Sequence, residues 1–210
     1  MKFKIISDLH GHLPIIENCD ALLIGGDLPP TWMVHYHGKV AEWLHSDFYL
    51  WLKEISDKGI EIFSVAGNHD FLFQDTTIKN LPWNYLQDSG IEWNGLKIWG
   101  TPWQPTFGGW AFNADEPELK EKWDLIPNDT NILICHGPPY GLADKIGLNH
   151  VGSLSLRKKA ESLPNLKLMV CGHIHHQRGL YYTTSGVPVI SASLVNSQYK
   201  PCNDPMEFEL

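Results

Sequence analysis

Apolar and polar positions follow two rhythms along this chain. Short, continuous apolar runs at residues 3–7, 18–24, 60–66, 131–134 and 166–170 read as strands buried on both faces. Between the second and third runs, Val40, Trp43, Leu44, Phe48, Trp51, Leu52 and Ile55 recur every three or four positions. That spacing predicts one helix over residues 39–56, with Gly59 as its stop. A second helix is expected over 116–126, with Pro117 in its first turn and Leu119, Trp123 and Ile126 facing inward. Ser153 is placed to cap a third, short helix running to residue 162. Residues 91–93 and 96–99 flank Asn94-Gly95, a two-residue hairpin turn, and 181–184 with 187–191 form another hairpin around Gly186. Between these lie a Pro- and Gly-punctuated aromatic loop, 101–113, and a long loop, 140–152. Strands alternating with helices early and hairpins added later predict an α/β layered domain with a mixed sheet, one domain over residues 1–210.

Composition narrows this picture. With 210 residues and 43% hydrophobic positions, the chain can bury a sizeable core. No apolar run approaches the length of a bilayer span and no signal peptide is recognisable, so the cytoplasm is the expected compartment. A formal net charge of −8 argues against broad, sequence-independent binding of nucleic acid. Cys19, Cys135, Cys171 and Cys202 form no Cys-x-x-Cys pair, which leaves no structural zinc knuckle and predicts reduced thiols.

The chemistry sits where the strands stop. In order, the strand ends are Asp8-x-His10, Gly-Asp27, Gly67-Asn68-His69-Asp70, His136-Gly and Gly-His173-x-His175. In α/β sheets, ligands gather at the carboxyl ends of strands. In an extended segment residues i and i+2 point the same way, so Asp8 with His10, and His173 with His175, are expected to face one cavity. Carboxylate, amide and imidazole donors without thiolate suit Mn²⁺, Fe or Zn²⁺. Asp8, His10, Asp27, Asn68, His136, His173 and His175 are too many for one ion, so two divalent ions about 3.5–4 Å apart, sharing a carboxylate, are expected. Such a centre stays positive after two aspartates are counted and attracts a phosphate ester. Water bridging the ions would be the nucleophile, and His69 the proton donor to the leaving group, oriented by Asp70. His12 and Trp103 are candidate substrate contacts. With Phe107, Trp110 and Phe112, Trp103 either walls the substrate side or covers a sheet edge.

This ordered set resembles the calcineurin-like metallophosphoesterase superfamily, motif by motif from Asp8 to His175. The 101–113 loop and His136-Gly137-Pro138-Pro139-Tyr140-Gly141 are similar to a branch of metallophosphoesterase-domain-containing proteins related to class III cyclic-nucleotide phosphodiesterases. The resemblance implies two mixed β-sheets sandwiched between helices. It also implies that Asp8, His10, Asp27 and His175 hold one metal and that Asp27, Asn68, His136 and His173 hold the other. The implied activity is hydrolysis of a small phosphodiester, with 2′,3′- or 3′,5′-cyclic nucleotides first. Rival readings are a phosphomonoesterase or protein phosphatase, a nuclease, and a metal-free binding scaffold. A small phosphate ester is the expected partner. The oligomeric state is open, with a dimer compatible with an exposed aromatic loop.

Overall fold

A computed structural model describes residues 1–76 and 78–210. The first half runs β1 (Lys2–Ile6), β2 (Ala21–Ile24), α1 (His37–Leu44), α2 (Asp47–Asp57), β3 (Glu61–Ser64), α3 (Phe71–Asp75) and β4 (Asn84–Tyr85). A middle section holds β5 (Ser89–Trp93), β6 (Leu96–Thr101), β7 (Gln104–Pro105), β8 (Asn113–Ala114), α4 (Glu116–Asp124) and β9 (Ile132–Cys135). The remainder is β10 (Lys145–Ile146), β11 (Asn149–His150), α5 (Leu154–Ser162), β12 (Leu168–Cys171), β13 (Gly179–Tyr182), β14 (Pro188–Ser191) and β15 (Met206–Glu209).

These strands build two main sheets, ordered β15-β1-β2-β3-β4 and β13-β14-β12-β9-β6-β5. β1 to β4 run parallel, as do β14, β12, β9 and β6; β15 is an antiparallel edge of the first sheet, and β13 and β5 are antiparallel edges of the second. The sheets face each other across a core that includes Phe3, Ile5, Leu23 and Phe63 from the first, and Ile98, Ile134, Val170 and Ile190 from the second. The other face of the first sheet, through Leu22, Ile24 and Ile62, packs on Val40, Leu44, Phe48 and Leu52 of α1 and α2. The outer face of the second, through Leu133, Met169 and Val189, packs on Trp123 of α4 and Leu156 and Ala160 of α5. The expected arrangement of two mixed sheets between helices is therefore what the chain adopts. It also explains why these strands read as unbroken apolar runs, since both of their faces are covered. All five motif-bearing strand ends emerge at the carboxyl ends of parallel strands.

The helix expected over 39–56 is two helices. Ser46 leaves helical geometry, at φ −118° and ψ −96°, and its hydroxyl donates to the carbonyls of Glu42 and Trp43. A serine hydroxyl that bonds back to the preceding turn competes with the backbone N–H groups and bends or ends a helix. The apolar stripe continues across the break, which is why the spacing alone shows one element. α4 starts with a capping box, Asp115 accepting from the Glu118 N–H and the Glu118 carboxylate accepting from the Asp115 N–H, and Ser153 caps α5. The 140–152 loop contains the short hairpin β10–β11. β15 was not legible. It pairs antiparallel with β1, Phe3 opposite Phe208, and closes the edge of the first sheet. No helix among the described residues is long and apolar enough to cross a membrane.

One glycine sets how closely the sheets approach. A Cβ at Gly100 in β6 would lie 2.3 Å from Leu86 Cβ and 2.8 Å from Val65 Cγ1. Gly100→Ala is expected to lower unfolding stability by about 1–3 kcal/mol, read as a lower urea midpoint at unchanged m-value.

Candidate metal centre

The loops after β1, β2, β3, β9 and β12 bring two donor clusters together. In the first, Asp8, His10, Asp27 and His175 each place one donor atom within 4.8 Å of the others. His10 Nε2 lies 3.3 Å from His175 Nε2 and 3.7 Å from Asp27 Oδ2, and His175 Nε2 lies 3.5 Å from Asp8 Oδ1. In the second, Asn68 Oδ1 is 2.9 Å from His136 Nε2 and 2.7 Å from His173 Nδ1, and His136 Nε2 is 3.5 Å from Asp27 Oδ1. Asp27 thus turns one oxygen toward each cluster. The seven residues expected as ligands meet in one place, in the division that the resemblance implied.

Backbone geometry is what aims them. Asp8, His10, Asp27 and His173 have φ of 52°, 45°, 57° and 69°, in the left-handed region that side-chain-bearing residues rarely adopt. The Asp8/His10 and His173/His175 pairs are therefore not extended, and their convergence owes nothing to strand alternation. It comes from left-handed turns directly after the strands, while Leu9 and Ile174 are buried beneath. Gly67 leaves room for the site: a Cβ there would fall 2.4 Å from Asp27 Oδ1 and 2.6 Å from the His136 ring.

The donors are held with their lone pairs inward. His136 Nδ1 donates to the Gly25 carbonyl at 2.7 Å, and His175 Nδ1 to the Asn196 carbonyl at 3.0 Å. Each bond occupies Nδ1 and turns Nε2 toward the cluster. Burial pushes His10 down to about 4, against the nearby Asp27. Burial, then His136, pushes His173 down to about 3. Burial raises a carboxyl pKa, but the surrounding imidazoles outweigh it and hold Asp8 and Asp27 below the usual carboxylate range. Backbone N–H groups of His173 and His69 donate to these two carboxylates. Asn68 Oδ1 and His136 Nε2 converge to 2.9 Å, a spacing at which an amide oxygen and an imidazole nitrogen can share one cation. Imidazoles, one amide oxygen and two buried carboxylates without thiolate fit hard or borderline divalent ions. The residues present therefore fit a dinuclear centre.

Asp70 does not do what its position suggested. Its Oδ2 accepts from the N–H groups of Gly67 and Asp27 at 2.6 and 2.8 Å, and its Oδ1 from that of Leu28 at 3.1 Å. It staples the loop after β2 to the loop after β3 and makes no bond to His69. Burial, then the Asp27 carboxylate, pushes Asp70 up to about 7, against the amides that favour its ionised form. His69 instead lies in the mouth of the centre. Its Nε2 is 3.9 Å from Asp27 Oδ2, and its Nδ1 is buried with no partner among the described residues.

A cleft of about 230 Å³ opens over the donors. Its walls include Phe107 and Trp110 from the aromatic loop, Ile146 from β10, and Ser197 and Tyr199 from the segment after β14. Trp103 is elsewhere: its indole N–H donates to Asp88, Lys122 lies over its ring and Phe112 packs edge-on against it. Phe112 is buried in the core. His12 is half-buried and does not line this cleft. Tyr199 was missed. Its ring sits edge-on to His10, His69 and His175, at centroid distances of 4.8, 5.7 and 5.2 Å. Asn196 builds the turn that carries it, accepting from the N–H groups of Gln198 and Lys200. That polar stretch has no periodicity or motif to mark it.

The family model for calcineurin-like phosphoesterases matches residues 1–177. The chain belongs to this family. Among curated relatives of this phosphoesterase, metallophosphoesterase domain-containing protein 1 of Homo sapiens is 30% identical over all of the chain and 71% of the relative, and that of Mus musculus matches equally. A UPF0046 protein of Caenorhabditis elegans is 28% identical over the full chain and 81% of its own length. One crystal structure superposes at a TM-score of 0.60 with 17% identity, covering 90% of the phosphoesterase and 89% of that chain, a likeness of fold. The family normally binds a dinuclear metal centre, and the Asp/His cluster of this phosphoesterase answers to one.

Two outcomes follow from this geometry. Asp27→Ala is expected to abolish retention of both ions, not one, measured by elemental analysis after gel filtration. Asp70→Asn places an amide N–H against N–H donors. It is expected to cost about 1–3 kcal/mol in urea unfolding of the metal-stripped protein, while the dependence of rate on leaving group stays that of the parent.

Proposed function

We propose that this phosphoesterase hydrolyses small phosphodiesters, with cyclic nucleotides as the leading substrate class, through two divalent ions of the Mn²⁺, Fe or Zn²⁺ type. The observation that carries the reading is the shared Asp27 carboxylate, one oxygen directed at each donor cluster. When bound, such an ion pair lowers the pKa of water toward neutrality and neutralises phosphate charge.

The chain's own residues do the rest. Asp8, His10, Asp27 and His175 would hold one ion, and Asp27, Asn68, His136 and His173 the other. The left-handed turns fix the donors before substrate arrives, so little reorganisation is needed at the moment of reaction. His69 Nε2 stands beside Asp27 at the cleft mouth and gives a proton to the leaving ester oxygen as its P–O bond breaks and a water oxygen bonds to phosphorus; the products are an alcohol and a phosphate monoester, joined in one molecule when the ester is cyclic, and the proton that the water sheds balances the one His69 gave. Burial lowers the His69 pKa, which makes its protonated form a stronger acid, and the phosphoryl charge brought by the substrate favours that form. Phe107 and Tyr199 help exclude water from the leaving group and offer flat faces to a nucleobase.

A small ester suits a cleft of this size, and the net charge of −8 weighs against polymeric nucleic acid. Four free cysteines, two of them buried, accord with a reducing compartment such as the cytoplasm.

Protein stripped of metal and reloaded with Mn²⁺ is expected to hydrolyse bis-p-nitrophenyl phosphate faster than p-nitrophenyl phosphate, and to be inactive before reloading. The reverse preference would make it a monoesterase, and inactivity on both with two ions bound would make it a binding scaffold. His69→Asn is expected to keep both ions and lose about 10²-fold or more in kcat on esters with poor leaving groups.

A further inference from the structure

His69 has lost the orienting partner that its sequence neighbour seemed to provide. Asp70 is fully occupied with the N–H groups of Gly67, Asp27 and Leu28. The His69 Nδ1 is buried and makes no hydrogen bond among the described residues. An imidazole that is to deliver a proton in line with a departing oxygen needs its plane fixed, because misplacement by about 1 Å can cost about 10²-fold in rate. Among the described residues, ring packing is the contact that bears on that plane.

The aromatic loop meets the need. The Trp110 indole stacks on the His69 ring with centroids 4.3 Å apart and planes 29° from parallel. Trp110 is packed in turn by His35, nearly parallel at 24° and 6.3 Å, by Phe71 at 6.0 Å, and by Phe107 at 26° and 6.4 Å. The loop is also pinned at its backbone. The Ala111 N–H donates to the Asn68 carbonyl at 3.1 Å, one residue before His69, and the Phe112 N–H donates to Gln74 Oε1 at 2.9 Å. Gln104 Nε2 ties the Ala111 carbonyl at 2.7 Å. Trp110 is thus locked to the same backbone that carries His69. Its flat face is the surface against which the imidazole rests, with the His10 ring edge-on at 4.7 Å.

We infer that Trp110 is the positioning residue for His69: the indole face, and not a carboxylate, sets the plane from which His69 delivers its proton. This rests on the reading of His69 as the leaving-group acid. Stacking constrains tilt while leaving the ring free of a hydrogen-bonded anion. A carboxylate partner would stabilise the imidazolium and blunt it as an acid. An indole face orients the ring without an anionic carboxylate's full charge.

The test uses the full chain loaded with Mn²⁺, two diesters of equal charge and unequal leaving groups, and one readout that needs neither metal nor turnover. Trp110→Leu is expected to lower kcat on diphenyl phosphate by about tenfold or more beyond any loss of kcat on bis-p-nitrophenyl phosphate, with metal content unchanged. Trp110→Phe is expected to restore diphenyl phosphate turnover to within about threefold of the parent. The His69→Asn/Trp110→Leu double variant is expected to be no slower than His69→Asn alone, since one residue acts through the other. In the metal-free protein, the His69 ring protons are expected upfield in the NMR spectrum from the indole ring current, and to move downfield in Trp110→Leu. Equal losses on both esters, additive losses in the double variant, or unshifted ring protons would each overturn the inference while leaving His69 as the acid. If His69→Asn itself treats the two esters alike, the acid assignment falls and Trp110 loses this role with it.

Discussion

One buried carboxylate organises this molecule. Asp27 must present an oxygen to each of two donor clusters, and it does so from a residue in left-handed conformation at the end of a central strand. Neither the conformation nor the burial is favourable by itself. Both are tolerated because the surroundings over-determine them. The His69 N–H donates to the Asp27 side chain, the Asp70 carboxylate accepts the Asp27 N–H, and Gly67 leaves the space that a Cβ would fill. Asp8 repeats the pattern, taking the His173 N–H from the opposite sheet. The site is thus a small region of stored strain, held by amide–carboxylate bonds of 2.6 to 3.2 Å.

Much of this was readable in the chain, for identifiable reasons. The central strands are covered on both faces, so they stand out as apolar runs, and a polar residue directly after such a run has few places to go but the end of the sheet. That is why the donor set could be named from Asp8 to His175. Its division into two clusters came from the family resemblance. How the residues aim was not readable. Asp8 and His10 look like alternate residues of a strand, but the strand has already ended and the turn is left-handed. Asp70 looked like a partner for His69 because it follows it, yet adjacent side chains in a turn diverge, and this one reaches back to three amides.

Other features lay below what pattern can carry. The break at Ser46 is made by one hydroxyl under an uninterrupted apolar stripe. β15 is only four residues, MEFE, following Pro201 and Pro205, and its strand character comes from the unpaired edge of β1. Tyr199 is placed by Asn196, whose side chain builds a turn and whose carbonyl fixes the His175 tautomer. A residue acting through backbone geometry, not through its own chemistry, leaves no signature in spacing. The aromatic loop is intermediate. Its composition marked it as unusual, but only the structure separates Trp110 and Phe107, which face the cleft, from Trp103 and Phe112, which do not.

The distribution of the donors between the sheets has a thermodynamic corollary. Asp8, His10, Asp27 and Asn68 hang from the first sheet, and His136, His173 and His175 from the second. Any cation held among them rivets the halves of the sandwich at one rim, adding to the apolar interior and the few hydrogen bonds that join them. Occupancy and folding are then one equilibrium. Heat resistance and protease resistance become functions of free metal activity, and the enzyme's lifetime, as well as its turnover, is set by the ionic composition of whatever compartment it occupies.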